Sequence, residues 1–226
     1  MNILSLDTAA DGCSVALRAA GSLIERDDAA PRKHAASLLP MAQACLAEAG
    51  LRLADLDAIA FGRGPGSFTG LRIAAGVAQG IAFGAGLPVV PVSNLAAAAV
   101  VAGHAHGWQR VLVAFDARMG EVYAGAYEID AAGRPMLVGE EALLAPGDLA
   151  APGSDWRGAG SAFAAWPGLA VTAGVVSADS ALAPRARDLL DIAADACARG
   201  LAVPAEEALP VYLRERVAWQ GGGPSR

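Results

Sequence analysis

The chain has 226 residues, of which 54% are hydrophobic and only 18% are charged, and its net charge is −6 at pH 7. A protein that binds nucleic acid unaided needs a basic surface to displace counterions, and this chain, with Lys33 as its single lysine, lacks one. The cysteines Cys13, Cys45 and Cys197 form no CxxC motif, which argues against a zinc site or disulfide scaffold and favours a reducing compartment.

Neither the amino terminus nor the longest apolar stretch has the pattern of a membrane segment. The first residues, MNILSLDTAADG, have no basic region and reach Asp7 almost at once, unlike a signal peptide. The stretch 73–92 contains Gln79, four glycines and Pro88, so we interpret it as a buried helix followed by a strand. A cytoplasmic location is therefore expected.

The first half of the chain alternates between strand and helix patterns. Apolar residues recur at helical spacing over 34–49, with Gly50 as the stop and with Pro40 either at a kink or in a first turn capped by Ser37. The predicted elements are strands at 2–7, 13–19 and 21–28, helix 34–49, strand 57–62, helix 70–85, strand 87–93 and a helix capped by Asn94 that runs to about residue 103.

The pattern restarts after a predicted junction at 104–108. Strands are predicted at 111–117 and 121–129, a turn at 132–135, a short strand with a glycine turn over 157–163, and a helix at 184–199. A strand that ends in aspartate before a turn occurs in both halves, at Asp7 and at Asp116. We therefore predict an α/β protein with an N-terminal lobe at 1–106, a C-terminal lobe at 107–213 and a disordered tail at 214–226.

The glycine-rich loop GRGPGSFTG, at 62–70, allows two interpretations. Its backbone amides could cradle a phosphate, yet the loop has neither the GxxxxGK[ST] nor the GxGxxG pattern. Alternatively, it is a tight turn from strand to helix in which Ser67 or Thr69 caps the helix. Asp7 and Asp116 are likewise either ligands of a magnesium-bound nucleotide or aspartates that form turns.

The histidine spacing argues against a metal site. Two ligands on one helical face stand four residues apart, and the residue four positions after His34 is Leu38. His104 and His106 fall in a predicted loop without a nearby carboxylate or cysteine. No catalytic residue and no metal ligand is therefore assigned.

Helices 34–49 and 70–85 are too apolar to be left in water. The second contains only Arg72 and Gln79 as polar residues, and each of its interior glycines costs about 1 kcal/mol relative to alanine. A closely packed neighbour would compensate for this cost, and it is either another helix of the same chain or another protein. In the second case, the contact residues are predicted to be Leu38, Leu39, Ala42, Leu46, Ile73, Gly76, Val77, Gly80 and Gly84.

Several segments resemble the TsaB family, which is also labelled as inactive glycoprotease-like. The signature segment GRGPGSFTGLRIAAGVAQGIAFG is joined by LSLDTAADGCSVAL, HAASLLPM, DARMGEVYAGAY and LPVYLRERVAW. The resemblance covers most of residues 1–130 and a short C-terminal piece, and residues 135–200 contribute little. The catalytic paralogue of the family has an HxxxH motif on its first helix, and here Leu38 replaces the second histidine.

The resemblance implies a duplicated actin/Hsp70-like (ribonuclease H-like) fold and a role as a non-catalytic subunit. The partner would be TsaD, the catalytic paralogue that holds metal and nucleotide, with the ATPase TsaE joining them and tRNA contacted mainly through these partners. The complex would transfer threonylcarbamoyl to adenosine 37 of tRNAs reading ANN codons. When the partner is missing, a homodimer through the same helical face is the alternative.

A stand-alone ATPase or small-molecule kinase is the alternative function. Its nucleotide site would lie in the cleft of the actin-like fold. The residues that would form it are Asp7, Gly66, Ser67, Asp116, Gly158 and Gly160.

Overall fold

The computed structural model of the chain describes residues 1–10, 12–28 and 34–214. In its first half, apolar strands alternate with alanine-rich helices in the predicted order. The elements are β1 (Ile3–Asp7), β2 (Cys13–Ala19), β3 (Ser22–Asp28), α1 (His34–Ala49), β4 (Ala58–Gly64), α2 (Phe68–Ala85), β5 (Val89–Ser93) and α3 (Asn94–His106).

The second half contains longer strands and shorter helices. Its elements are β6 (Arg110–Arg118), β7 (Glu121–Ile129), β8 (Pro135–Leu144), β9 (Arg157–Ala159), α4 (Ala162–Ala165), α5 (Leu169–Thr172), β10 (Ala178–Asp179) and α6 (Leu190–Ala198). The helix predicted at 184–199 begins instead as a 3-10 helix, Ala186–Leu189, that leads into α6.

Two five-stranded sheets with the same topology form the two lobes. The first has the order β3-β2-β1-β4-β5, with β1 to β3 antiparallel and with β4 and β5 added in parallel. The second has the order β10-β9-β6-β7-β8, with β6 to β8 antiparallel and β9 and β10 in parallel. This repeat confirms the predicted duplicated, two-lobed α/β fold.

The helices do not stay with the lobe in which the sequence places them. Helices α1 and α2 cover one face of the first sheet, whereas the other face is covered by α6, through Leu190 and Ala193. Helix α3 covers the second sheet, with Leu95 packed among Val111 and Val113. Both helices therefore pack across the predicted boundary between 106 and 107, and the division of the chain into lobes at that boundary stays a prediction.

Two local predictions differ from the structure, and the structure decides one open alternative. Ser93, not Asn94, caps α3, and this helix ends at Gly107, so His104 and His106 lie in its last turn instead of a loop. Helix α1 begins at His34 as predicted, so of the two alternatives for Pro40 the structure has the one in which it lies in the helix interior, and Ser37 donates a hydrogen bond to Asp28 instead of capping a first turn.

Two further observations concern the described residues alone. Among them no helix is both long and apolar enough to cross a membrane. The predicted tail at 214–226 lies outside them apart from Arg214, so its disorder stays a prediction.

Candidate partner surface and interlobe cleft

The glycine-rich loop is packed against the turn that follows β1. The Ser67 amide donates to the Ala9 carbonyl at 2.8 Å, and the Thr8 hydroxyl donates to the Gly70 carbonyl at 2.6 Å. A Cβ on Gly66 would stand 2.5 Å from the Ala9 oxygen, and one on Gly70 would stand 1.9 Å from the Thr8 oxygen. These glycines thus allow two backbone segments to touch, and the Ser67 amide is already used.

Ser67 also caps helix α2. Its hydroxyl accepts a hydrogen bond from the Gly70 amide at 3.3 Å. This geometry favours the tight turn from strand to helix over the phosphate cradle, since both the side chain and the amide of Ser67 have partners within the chain.

Asp7 is a buried carboxyl group at the end of β1. Its Oδ1 accepts a hydrogen bond from the Asn94 side chain at 2.7 Å, and the Asn94 oxygen accepts one from the Gly64 amide at 2.9 Å. Burial raises the pKa of Asp7 to about 6, and the Asn94 hydrogen bond opposes that rise. Asp7 and Asn94 together fix the ends of β1, β4 and α3 to one another.

Asp116, the corresponding residue of the second half, forms a turn. Its carboxylate accepts from the Arg118 amide at 2.7 Å and from the Arg118 guanidinium at 3.2 Å, while its own amide donates to Ser161. These hydrogen bonds agree with the interpretation of Asp116 as an aspartate that forms a turn.

Asp7, Gly66, Ser67 and Asp116 come together in a cleft of about 860 Å³ between the lobes. Gly158 and Gly160 do not line it. A Cβ on Gly158 would meet the Phe163 ring at 2.5 Å, and one on Gly160 would meet the Ala114 carbonyl at 2.6 Å, so both allow close packing inside the second lobe. Sequence reasoning missed several cleft residues from distant segments, namely Arg118, Met119, Tyr123, Tyr212 and Arg214.

Metal-ligating side chains are not gathered in the cleft or elsewhere in the described parts of the chain. No group of three histidine, cysteine, aspartate or glutamate side chains is arranged there to hold an ion. Leu38, the residue four positions after His34, is fully buried in the first core.

A buried carboxylate, Glu141 of β8, joins the lobes. It accepts hydrogen bonds from the Ser93 hydroxyl, from the Tyr127 hydroxyl at 2.5 Å and from the Arg63 guanidinium at 3.2 Å. Arg63 and Ser93 belong to the first sheet, whereas Tyr127 and Glu141 belong to the second. Burial, followed by the charge of Glu141, raises the pKa of Tyr127. No local sequence pattern predicted this cluster, since its members are far apart in the chain.

The glycines of α2 face outward. A Cβ on Gly76, Gly80 or Gly84 would meet nothing within 4 Å among the described residues, and the side chain of Phe83 beside them is 81% exposed. The alternative in which an internal helix packs on these glycines is therefore wrong for the part of the chain that the structure describes. Ile73 and Val77 are half-buried beside these three glycines, which form a stripe along the helix.

The same face of α2 begins with an aromatic cluster. Phe68 and Arg72 precede Gly76 at four-residue spacing, and the Arg72 guanidinium lies 3.8 Å from the centre of the Phe68 ring. Its Nε also donates to the Tyr212 hydroxyl at 3.1 Å. The spacing could have shown that Phe68 and Arg72 extend the stripe, although the approach of Tyr212 could not be foreseen.

Helix α1 contributes less to this surface than predicted. Leu38, Ala42 and Leu46 are buried in the first core, because they pack on the sheet beside α2. They were predicted to contact a partner, and in this fold they have almost no exposed surface with which to do so. Leu39, which is 44% exposed, is accessible. We call Leu39, Ile73, Val77, Phe83 and the three glycines the α2 surface.

Comparison with known proteins places this geometry among tRNA-modification proteins. The family model described as TsaD, tRNA N6-adenosine threonylcarbamoyltransferase, matches residues 27–161. The tRNA threonylcarbamoyladenosine biosynthesis protein TsaB of Escherichia coli (strain K12) is 44% identical in an alignment of 232 positions that covers 97% of each chain. The TsaB of Haemophilus influenzae is 52% identical over 54% of this chain and 52% of its own length. The solved structure of YeaZ from Pseudomonas aeruginosa has 47% identity and a TM-score of 0.86, and the match covers 94% of this chain and 99% of that one.

Proposed function

We propose a function that starts from family membership: this chain belongs to the TsaB family of tRNA threonylcarbamoyladenosine biosynthesis proteins. In this proposal the chain is a non-catalytic subunit of the complex that makes this tRNA modification. The complex transfers a threonylcarbamoyl group to adenosine 37 of tRNAs that read ANN codons. This chain acts by pairing with a TsaD-like catalytic paralogue in the cytoplasm.

The exposed α2 surface carries the proposal. Three outward-facing glycines lower the stability of this helix, and no contact with the described residues offsets that cost. A partner helix can approach such a surface closely, so that many dispersion contacts form between the two backbones. Phe83 and Leu39 flank the glycines with apolar area that the partner would remove from water.

The acidic composition fits a division of tasks between subunits. A chain with a net charge of −6 is poorly suited to hold tRNA, so we assign most tRNA contacts to the paralogue and to a TsaE-like ATPase. ATP and metal are likewise assigned to the partner subunits. In this chain the Ser67 amide, which a phosphate would need, already donates to Ala9.

Gly80→Leu tests the pairing. The monomer has room for the new side chain, so the variant should remain folded by circular dichroism. It should bind the TsaD-like paralogue of the same organism at least about tenfold more weakly, because the leucine separates the two helices. Ala181→Leu adds the same bulk to an exposed loop of the second lobe and should bind normally. Unchanged binding by folded Gly80→Leu would refute the α2 surface as the interface.

The cleft leaves an ATPase or kinase as the second candidate, because it is large and contains the buried Asp7. Calorimetric titration of the isolated chain with Mg-ATP separates the two functions. The subunit proposal expects no saturable binding. Saturable binding that is abolished by Asp7→Ala would favour the enzyme.

A further inference from the structure

Arg72 is the one charged residue of helix α2, whose sequence is FTGLRIAAGVAQGIAFGA. It stands in one row with Phe68, Gly76 and Gly80, at four-residue spacing, and residues so spaced form a continuous ridge on a helix. Four residues rise by about 6 Å along the helix axis. Arg72 is therefore about one turn away from the first outward-facing glycine, at the end of the α2 surface.

The Arg72 guanidinium has unused hydrogen-bond donors. Most arginines in the part of the chain that the structure describes form an ion pair, such as Arg18 with Asp191 at 2.6 Å, but Arg72 has no carboxylate partner there. An arginine side chain carries five N–H donors. The structure uses the one on Nε, which donates to the Tyr212 hydroxyl at 3.1 Å, and both terminal nitrogens remain available.

Two aromatic rings hold this guanidinium in place. Its central carbon lies 3.8 Å from the centre of the Phe68 ring and 5.8 Å from the centre of the Tyr212 ring, and the two ring centres are 5.2 Å apart. Cation–π attraction and the Tyr212 hydrogen bond both restrict the side chain, so less conformational entropy is lost when a ligand binds. Phe68 and Tyr212 are 44% and 40% exposed, so a partner can reach the cluster.

We propose that Arg72 is the charged anchor of the partner surface, and that it binds a carboxylate side chain on the helix of the TsaD-like paralogue that packs along Gly76 and Gly80. This inference rests on the proposed function. A guanidinium fork fits a carboxylate through two parallel hydrogen bonds. A helix that covers the glycines also removes water from the neighbouring guanidinium, and a charge left unpaired in such a place is costly. The covering helix must therefore supply an anion.

The charge around Arg72 favours a carboxylate of a protein over a phosphate of RNA. A phosphate backbone is held by several cations that together displace its counterions. Helix α2 offers Arg72 alone, and the chain as a whole carries a net charge of −6. A single guanidinium beside an apolar, glycine-lined helix face instead suits one ion pair at the edge of a helix contact.

Arg72→Glu tests the anchor by placing a carboxylate against a carboxylate. Arg72 is exposed, so the variant should remain folded by circular dichroism. Its affinity for the paralogue should fall at least about tenfold, and added salt should weaken binding of the wild type but not of the variant, because salt screens attraction and repulsion alike. Arg199→Glu is the matched control, since Arg199 is exposed at the end of α6, which covers the opposite face of the first sheet. It should bind normally.

A double-mutant cycle tests whether Tyr212 positions the guanidinium. Tyr212→Phe keeps the ring and removes the hydroxyl that Arg72 contacts. It should weaken binding of the paralogue by about two- to fivefold when Arg72 is present, and it should have no effect in the Arg72→Gln background. An equal loss in both backgrounds would show that the hydroxyl contacts the paralogue itself, and it would refute the positioning role.

The binding measurements separate this inference from the proposed function. If Gly80→Leu loses the paralogue while folded Arg72→Glu binds it like the wild type, the anchor is overturned and the subunit function stands. A wild-type chain that does not bind the paralogue overturns both. If Arg72→Glu binds the paralogue normally but its complex retains less tRNA in a gel-shift titration, Arg72 contacts RNA phosphate and the carboxylate proposal is wrong.

Discussion

Burial of one carboxyl group, Asp7, makes the stability of the chain depend on pH. Its pKa is raised from 3.8 to about 6 in the folded chain. Between these two pH values Asp7 is therefore mostly protonated in the folded chain and mostly ionised in the unfolded chain. Stability contributed by protonated Asp7 is therefore full at low pH and is lost as the pH rises toward and through 6. Asp7→Asn cannot ionise and keeps an oxygen for Asn94.

We expect urea unfolding to show this difference. Relative to wild type, Asp7→Asn should gain about 1–2 kcal/mol of unfolding free energy between pH 5 and pH 7.5. Groups that titrate equally in both proteins cancel in this comparison. A constant difference between the two proteins across that range would show that Asp7 is ionised throughout.

Single residues differed in how well the sequence predicted them. Asp7 and Ser67 stand at the ends of apolar segments, where local pattern alone indicates a special role, and both line the cleft. Glu141 follows another glutamate in an ordinary strand, and its burial depends on Arg63 and Ser93 in the other sheet. Only the packing of the two lobes makes it important, which no local pattern could show.

Helix α2 contains glycines that face outward and one, Gly70, that is packed against another backbone segment. Substitution by alanine should change stability in opposite directions at the two kinds of position. Gly80→Ala should stabilise the monomer by about 1 kcal/mol, because the new methyl group meets nothing and the helix loses a flexible residue. Gly70→Ala should destabilise it by about 1–3 kcal/mol, since its Cβ would stand 1.9 Å from the Thr8 carbonyl oxygen. Thermal unfolding of both variants measures the two signs, and a loss in Gly80→Ala would mean that the stripe is covered within the chain.

At the scale of elements, periodicity predicted well whether a segment is a helix or a strand. It predicted less well which face of a helix packs on the sheet. Helix α1 has the predicted bounds of 34 to 49, because Gly50 supplies a clear stop. Which side of it faces the sheet did not follow from composition, since a helix that is apolar all round gives little contrast. Leu38 and Leu46 were therefore assigned to the wrong surface, whereas Leu39 between them is exposed.

At the scale of the whole molecule, the two lobes hold each other together. Helix α3 from the first half covers the second sheet, and α6 from the second half covers the first. The repeat of strand, aspartate, turn and strand indicated the duplication. The exchange of helices was not predictable, because both sheets offer apolar faces and sequence order gives no reason to prefer one.

The Glu141 cluster adds a polar connection to this exchange, and removing it should weaken the coupling between lobes. Glu141→Ala leaves Arg63, Ser93 and Tyr127 without their shared acceptor, which should cost about 1–3 kcal/mol. Glu206→Ala, at an exposed position, should change stability by less than about 0.5 kcal/mol.

Two probes of urea unfolding can detect the loss of coupling. The chain has no tryptophan before Trp108, so tryptophan fluorescence reports on the second half, while circular dichroism reports on both. In wild type the two transitions should coincide, as expected for one cooperative unit. In Glu141→Ala the fluorescence transition should move to lower urea than the dichroism transition. If the two still coincide in that variant, the apolar contacts of α3 and α6 suffice to couple the lobes, and Glu141 contributes stability alone.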